Sequence, residues 1–206
     1  MKTCILITSH LNTPHKVEVA LGLLDFLKDK NLPIIFTGNH PIPVEIQEKS
    51  DWTLNIKENP TTKYFKKIYY DGEWSWDYGY AHLHQIGKGF LLGKSLGFDY
   101  IHHFNYDISI KEDDFNTLVE RGKESKPIVY YWCPHSLATQ FFSIKTQDYL
   151  DSIEENLHFY LNENPPNVGI SGIKDNWYCE VFFKWALDYN NISYVETTDI
   201  KYIPQV

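Results

Sequence analysis

Arginine is nearly absent from this chain: among 206 residues, Arg121 is the only one. A bidentate guanidinium clamp on phosphate is therefore nearly out of reach, and a phosphorylated ligand has to be held by lysine, by backbone N–H groups or by a metal ion. Positive charge is scarce as a whole. Nineteen Lys and Arg stand against 27 Asp and Glu, a net charge of −8, which excludes a general nucleic-acid binder because nothing would neutralise a phosphate backbone. Cysteine is limited to Cys4, Cys133 and Cys179. They are far apart, form no CxxC and cannot all pair within one chain, which predicts a reducing, intracellular setting. No apolar run approaches the roughly 20 residues that cross a bilayer, and the run Cys4–Ile7 is too short for a signal peptide. A soluble, cytoplasmic protein with no transmembrane segment is expected.

Several chemical motifs are missing as well. There is no HExxH and no Cys/His quartet at zinc-finger spacing. The nine histidines do not supply a substitute: His82 and His84 are two apart on a predicted helix and do not face each other, and His102 and His103 are adjacent on a predicted strand and point to opposite faces. A G-x-S-x-G elbow and a P-loop are absent. Gly87-x-Gly89 falls inside a helix rather than at a strand-to-helix turn, so it is no dinucleotide fingerprint.

What is present is a chain able to build a core, with 43% hydrophobic and 16% aromatic residues. One domain over 1–206 is expected. Cys4 to Thr8 predicts a strand buried on both faces. Asn12-Thr13-Pro14 is a helix-start signal, and Val17, Leu21, Leu24 and Leu27 follow at helical spacing. Pro33 to Thr37 is a second strand, so the opening is a βαβ unit with a parallel pair. A short helix within 40–50, a third strand at 52–56 and an irregular aromatic surface loop over 61–78 come next. The helix 79–96 carries Gly87, Gly89 and Gly93, which implies that its backbone packs closely on something. Strands are predicted at 99–104, 128–132, 141–144 and near 194 and 202, and helices at 111–124, 146–162 and 176–190. The alternation gives an α/β fold with a mostly parallel, Rossmann-like central sheet flanked by helices. Ligands of such sheets sit beyond the carboxyl ends of the strands. Ser9-His10, Thr37-Gly38-Asn39 and Asn105-Tyr106-Asp107 are expected to share that rim.

The stretch Gly97 to Asp107 is the strongest signal. Residues i and i+2 of an extended segment project to one side, so Asn105 and Asp107 can address one ligand; as turn formers they have an ordinary structural reading too. Gly79 to Asp107 resembles the segment leading to the DxD motif of GT-A glycosyltransferases of the large inverting type, in which a helix, a G-x-D-Y-I strand (here Gly97-Phe98-Asp99-Tyr100-Ile101) and a D-x-D step follow one another. The first half of the chain, 1–107, would be the nucleotide-binding half, and 108–206 the acceptor side. The sequence departs from the pattern twice: Asn105 replaces the first Asp, and Ile86-Gly87 stand near the place of an Arg-Asn pair.

The resemblance implies a metal-dependent, inverting transfer of a sugar from a UDP- or GDP-linked donor to a hydroxyl of a glycan or other acceptor. It implies Mn²⁺ or Mg²⁺ held by Asp107 and Asn105, both in the nucleotide-sugar site, with Asp107 the main ligand and Asn105 on the ribose or a metal-bound water. Ser9, His10, Asn39, Asp51 and Tyr80 would lie near the base, ribose or sugar. An inverting transfer needs a general base, and the matching late stretch offers Glu180, with Asp175 second; the ordinary readings are an i,i+4 pair of Glu180 with Lys184 and a helix cap at Asp175. Trp74 and Trp76 could stack on a sugar or fill a satellite core. Two rivals stay open: a non-catalytic GT-A-like module binding a glycan or partner, which Asn105 favours, and a sugar nucleotidyltransferase, which the lack of Gly, Lys or Arg in Ser9–Pro14 disfavours.

Overall fold

The computed structural model describes residues 1–56, 66–70, 73–133, 136–162 and 178–204, with 66–70, 73–77, 131–133, 162 and 204 as backbone alone. Eleven strands and seven α-helices follow in order: β1 (Thr3–Ser9), α1 (Pro14–Leu27), β2 (Ile34–Gly38), α2 (Val44–Gln47), β3 (Trp52–Asn55), β4 (Lys66–Tyr70), β5 (Glu73–Asp77), α3 (Gly79–Ser95), β6 (Tyr100–Asn105), β7 (Ile108–Ile110), α4 (Glu112–Gly122), β8 (Ile128–Cys133), β9 (Ser136–Lys145), α5 (Thr146–Tyr149), α6 (Leu157–Asn162), α7 (Cys179–Tyr189), β10 (Val195–Thr197) and β11 (Tyr202–Pro204). A π-helical turn, Leu150–Glu154, joins α5 to α6, so the continuous helix expected over 146–162 is broken.

Seven strands form the central sheet in the order β10-β8-β9-β6-β1-β2-β3. The pairs β1–β2, β2–β3, β1–β6 and β8–β10 are parallel, and β9 runs antiparallel to both β6 and β8. The mostly parallel sheet predicted from the alternation of strands and helices is present. Successive residues of β1 alternate between its faces: Cys4 and Leu6 enter one core with Phe90, Phe142, Tyr149 and Phe182, while Ile5 and Ile7 enter the other with Leu24, Phe36, Phe104 and Phe115. A run apolar at every position is what a strand covered on both faces requires. Thr13 caps α1, its Oγ1 accepting from Lys16 N at 3.4 Å, with Pro14 opening the helix.

Two expectations need correction. The segment 66–77 is no irregular loop: β4 and β5 pair antiparallel from Lys66↔Asp77 to Tyr70↔Glu73. The two-residue Asp71-Gly72 connection was the missed signal, since Asp-Gly between β-prone runs marks a hairpin. The proposed stacking of Trp74 and Trp76 lies outside the described side chains. Beyond Asn105 the chain is not extended, because Tyr106 and Asp107 form a turn into β7, which pairs with β11.

The glycines of α3 do mark close packing. The helix runs antiparallel to β1: Gln85 meets the end of β1 at Ser9, Gly89 lies against Leu6, and Gly93 against Ile101. A Cβ on Gly93 would sit 2.7 Å from Ile101 Cδ1, and one on Gly89 would overlap the Leu6 side chain. Gly22 of α1 is exposed, with nothing within 4 Å of such a Cβ. Opposite outcomes are expected in chemical denaturation. Gly22→Ala should stabilise by about 0.5–1 kcal/mol, through helix propensity alone. Gly89→Val should destabilise by about 1–3 kcal/mol through overpacking.

Candidate functional site

The carboxyl ends of β1, β2 and β6 form one rim. Gln85 ties two of them together from beneath. This buried amide donates from Nε2 to Ser9 O (2.8 Å) and Thr37 O (2.9 Å). Ser9 Oγ also donates to Thr37 O at 2.9 Å, so its hydroxyl proton is committed to the scaffold. His10 Nδ1 lies 3.1 Å from Asn39 Oδ1, and the His10 and His40 rings meet edge to face with centroids 4.6 Å apart. Burial and the nearby His40 and Lys16 push His10 down, against its Asn39 hydrogen bond. Ser9, His10 and Asn39 are thus brought together as the strand ends required. Tyr80 stands five residues before Gln85 on α3, roughly 7.5 Å further along the axis and past the strand ends. Its ring stacks on His84 at 5.9 Å.

Asp51 does not join them. It precedes β3, at the opposite end of the parallel strands, and its Oδ2 accepts from Ile34 N at 2.8 Å. Its place before the third strand already puts it at the amino end, so a contact with a base on the rim is geometrically excluded. Asp175 lies outside the described residues.

Asn105 and Asp107 end β6 beside β1. Asn105 Oδ1 accepts from Thr8 Oγ1 at 2.9 Å, and Thr8 Oγ1 lies 2.9 Å from His103 Nε2. Asp107 is half-buried, and its Oδ1 is shielded from solvent with no hydrogen-bond partner. That desolvation raises its pKa above the ordinary carboxylate value, opposed by its own backbone amide and by Lys16 of α1. A buried carboxylate oxygen without a donor is costly. Among the described residues no three His, Cys, Asp or Glu side chains cluster as a metal site. Asp107 fits a hard cation only as a single carboxylate, completed by ligand phosphate oxygens and water, which is how Mg²⁺ and similar ions are commonly held.

Glu180 reaches the same end of the sheet. Phe104 pairs with Phe141, so Thr139, two residues earlier on antiparallel β9, lies beyond the end of β6. Thr139 Oγ1 donates to Glu180 Oε1 at 3.4 Å, and Cys179 Sγ donates to Glu180 Oε2 at 3.0 Å. A bulge makes this possible: β9 advances from Phe142 to Leu137 while β8 advances only from Val129 to Tyr131. Bulges of this kind re-aim side chains. Glu180 also sits in the first turn of α7, where the helix dipole favours a carboxylate. Its i,i+4 partner Lys184 is taken instead by Asp188 at 2.6 Å and Tyr194 at 2.9 Å.

Histidines fill the space between. His82 Nε2 donates to Thr139 O at 3.3 Å, and burial pushes its pKa down to about 4. The His103 ring is 6.1 Å from that of His82 and is held well below its usual value by burial first. His102 faces the other side of the sheet, 2.7 Å from Ser143 Oγ. All three are neutral structural groups, and the predicted opposition of His102 and His103 holds. The lone arginine is absent from the rim: Arg121 makes a bidentate pair with Asp199 at 2.9 and 2.5 Å. Sequence reasoning passed over Gln85, Thr8 and Thr139. A signal existed for Gln85, which lies one turn before Gly89 and Gly93 in the same i,i+4 row and therefore faces the sheet. Thr8 and Thr139 carried none, because threonine is ordinary in strands.

No protein-family model matches this chain, and no curated protein matches it in sequence. Among solved structures it is similar to a glycosyltransferase involved in the glycosylation of the major capsid of PBCV-1, with TM-score 0.53 and 10% identity over 94% of this chain and 82% of that one. A197 from STIV aligns over 100% of this chain and 86% of its own, with TM-score 0.46 and 11% identity. No helix among the described residues is long and apolar enough to cross a membrane. The likeness to the PBCV-1 protein is one of fold, an α/β sheet flanked by helices.

Proposed function

We propose that this chain is a glycosyltransferase that moves a sugar from a UDP- or GDP-linked donor to a hydroxyl acceptor, with inversion and with the help of Mn²⁺ or Mg²⁺. The observation that carries the reading is the buried, unpartnered Oδ1 of Asp107 at the carboxyl ends of β1 and β6, where α/β sheets take their ligands. Likeness of fold to a glycosyltransferase supports it.

The roles follow from placement. Ser9, His10, Asn39 and Tyr80 flank the part of the rim that would receive the nucleoside and sugar. Asp107 would hold the cation, whose chemistry when bound is to neutralise charge developing on the departing diphosphate. That help matters here because Arg121 is committed to Asp199. Glu180 would accept the proton of the acceptor hydroxyl as its oxygen bonds to the anomeric carbon and the bond from that carbon to the diphosphate breaks. Thr139 and Cys179 orient the carboxylate.

Asp107→Asn separates function from folding. Because the folded-state pKa is raised, the folded protein binds more protons than the unfolded chain as pH climbs from the ordinary Asp value through the raised one, so this group lowers stability with rising pH. The Asn variant should therefore be as stable as wild type at neutral pH, or more so, with that pH dependence removed. In calorimetric titrations of UDP- and GDP-sugars with Mn²⁺ it should lose about 10- to 100-fold in affinity, the scale of a charge-assisted contact. Undiminished Mn²⁺-dependent binding rejects the assignment. A variant that keeps a glycan ligand while the wild type binds no nucleotide supports the non-catalytic module.

Glu180→Gln should keep donor affinity within about twofold and lower turnover by about 10²- to 10⁴-fold, the range for a positioned general base. Sugar transfer measured by product formation at saturating donor reads this, and unchanged turnover removes Glu180 from the chemistry.

A further inference from the structure

His103 is buried on β6 with Nε2 2.9 Å from Thr8 Oγ1, while Nδ1 is buried without a hydrogen-bond partner. Thr8 Oγ1 is also 2.9 Å from the Asn105 side-chain oxygen. Two groups share one hydroxyl, which has a single proton to give.

Two proton arrangements satisfy these distances. In one, His103 carries its proton on Nε2 and donates to Thr8, and Thr8 donates to Asn105 Oδ1. In the other, the Asn105 amide is turned over, Nδ2 donates to Thr8, Thr8 donates to His103 Nε2, and His103 carries its proton on Nδ1. The second arrangement buries an N–H with no acceptor. The first leaves only a lone pair unmet, and orphaned buried N–H groups are the rarer of the two. An imidazolium is worse still, adding a buried charge to the same orphan N–H. The choice of tautomer therefore decides which end of the Asn105 amide faces outward. The residue is half-buried, and among the described residues its Nδ2 has no hydrogen-bond partner.

We propose that the relay from His103 Nε2–H through the Thr8 hydroxyl to Asn105 Oδ1 locks the amide with its NH₂ toward the rim. Asn105 is then a hydrogen-bond donor to a diphosphate oxygen of the nucleotide and not a ligand of the cation. Thr8 and His103 are positioning residues that act through it. The identity of the acceptor rests on the nucleotide reading above; the orientation of the amide does not. The arrangement gives the rim a neutral donor where arginine is lacking. It also replaces the first carboxylate of the D-x-D pattern with a group of opposite hydrogen-bonding sense. In this arrangement the Asn105 oxygen faces Thr8 and is not offered to the metal.

Two measurements test this on the full chain. Long-range ¹H–¹⁵N spectra at neutral pH read the His103 tautomer: a proton on Nε2 is expected, and a proton on Nδ1 or on both nitrogens overturns the relay. UDP and GDP are then titrated in EDTA against wild type, N105D, T8V and T8S, with thermal unfolding to confirm that each is folded. Metal-free affinity should fall about tenfold or more in N105D, the scale of one hydrogen bond to a charged group, and should be regained on adding Mn²⁺. T8V should fall in the same direction, and T8S should match wild type. Equal metal-free affinity in wild type and N105D overturns the donor role. If T8V does not fold, N105D and the tautomer decide alone. Wild type binding neither nucleotide overturns the nucleotide reading and the assigned acceptor with it, while the spectrum still decides the amide's orientation.

Discussion

The parallel pairing of β1 with β6 is the constraint on which the rest of this molecule depends. It runs from Thr3↔Tyr100 to Thr8↔Asn105 and joins segments nearly a hundred residues apart. At its amino end, Lys2 N donates to Asp99 Oδ2 at 2.7 Å and Asp99 N donates to Lys2 O at 2.8 Å. At its carboxyl end, Thr8 reaches Asn105. With β1 central, β2 on one side and β6 on the other, three chain reversals open on the same rim. Gln85 fixes two of the strand ends, and α3 can lie close enough to do so because Gly89 and Gly93 carry no side chain. Packing and site are one construction: the glycine row that seats the helix also delivers the amide that holds the rim.

Charge organises the rest. The chain is acidic, and its one arginine is engaged with Asp199, so anionic ligands meet few cations. Against that background Asp107 keeps an oxygen desolvated and unpartnered. Natural structures satisfy nearly all such atoms. Glu180 is treated differently: both of its oxygens are met by weak donors, a hydroxyl and a thiol, which orient the carboxylate. Two carboxylates at one end of a sheet are thus set apart by their surroundings, one with an oxygen buried and unpartnered and the other with both oxygens met by hydrogen-bond donors.

Much of this was legible in the sequence, for physical reasons. Cys4–Thr8 is apolar at every position because both faces of β1 are covered, and Thr13-Pro14 stops and starts the chain as a cap should. The rim positions Ser9, His10, Asn39 and Asn105 followed from strand ends in a parallel sheet. Asp51 precedes its parallel strand and so belongs to the amino end of the sheet, away from the rim, a consequence its position in the sequence already carries. The hairpin at 66–77 was missed because aromatic density was weighed above the Asp71-Gly72 turn signal. The extended reading of Asn105-Tyr106-Asp107 failed because Asx residues make turns as readily as they end strands. The relay through Thr8 and His103 could not be read at all, since it depends on strand register and on a proton's position, neither of which leaves a pattern in one sequence.

The most direct measurement is a crystal structure with Mn²⁺ and UDP or GDP, with anomalous scattering locating the ion. The account predicts an ion bound through Asp107 as its one protein carboxylate, a diphosphate lying across the ends of β1 and β6 with the Asn105 NH₂ toward it, and Glu180 on the acceptor side. An ion or nucleotide bound away from this rim, or an Asp107 Oδ1 paired with a protein donor in the complex, would contradict it.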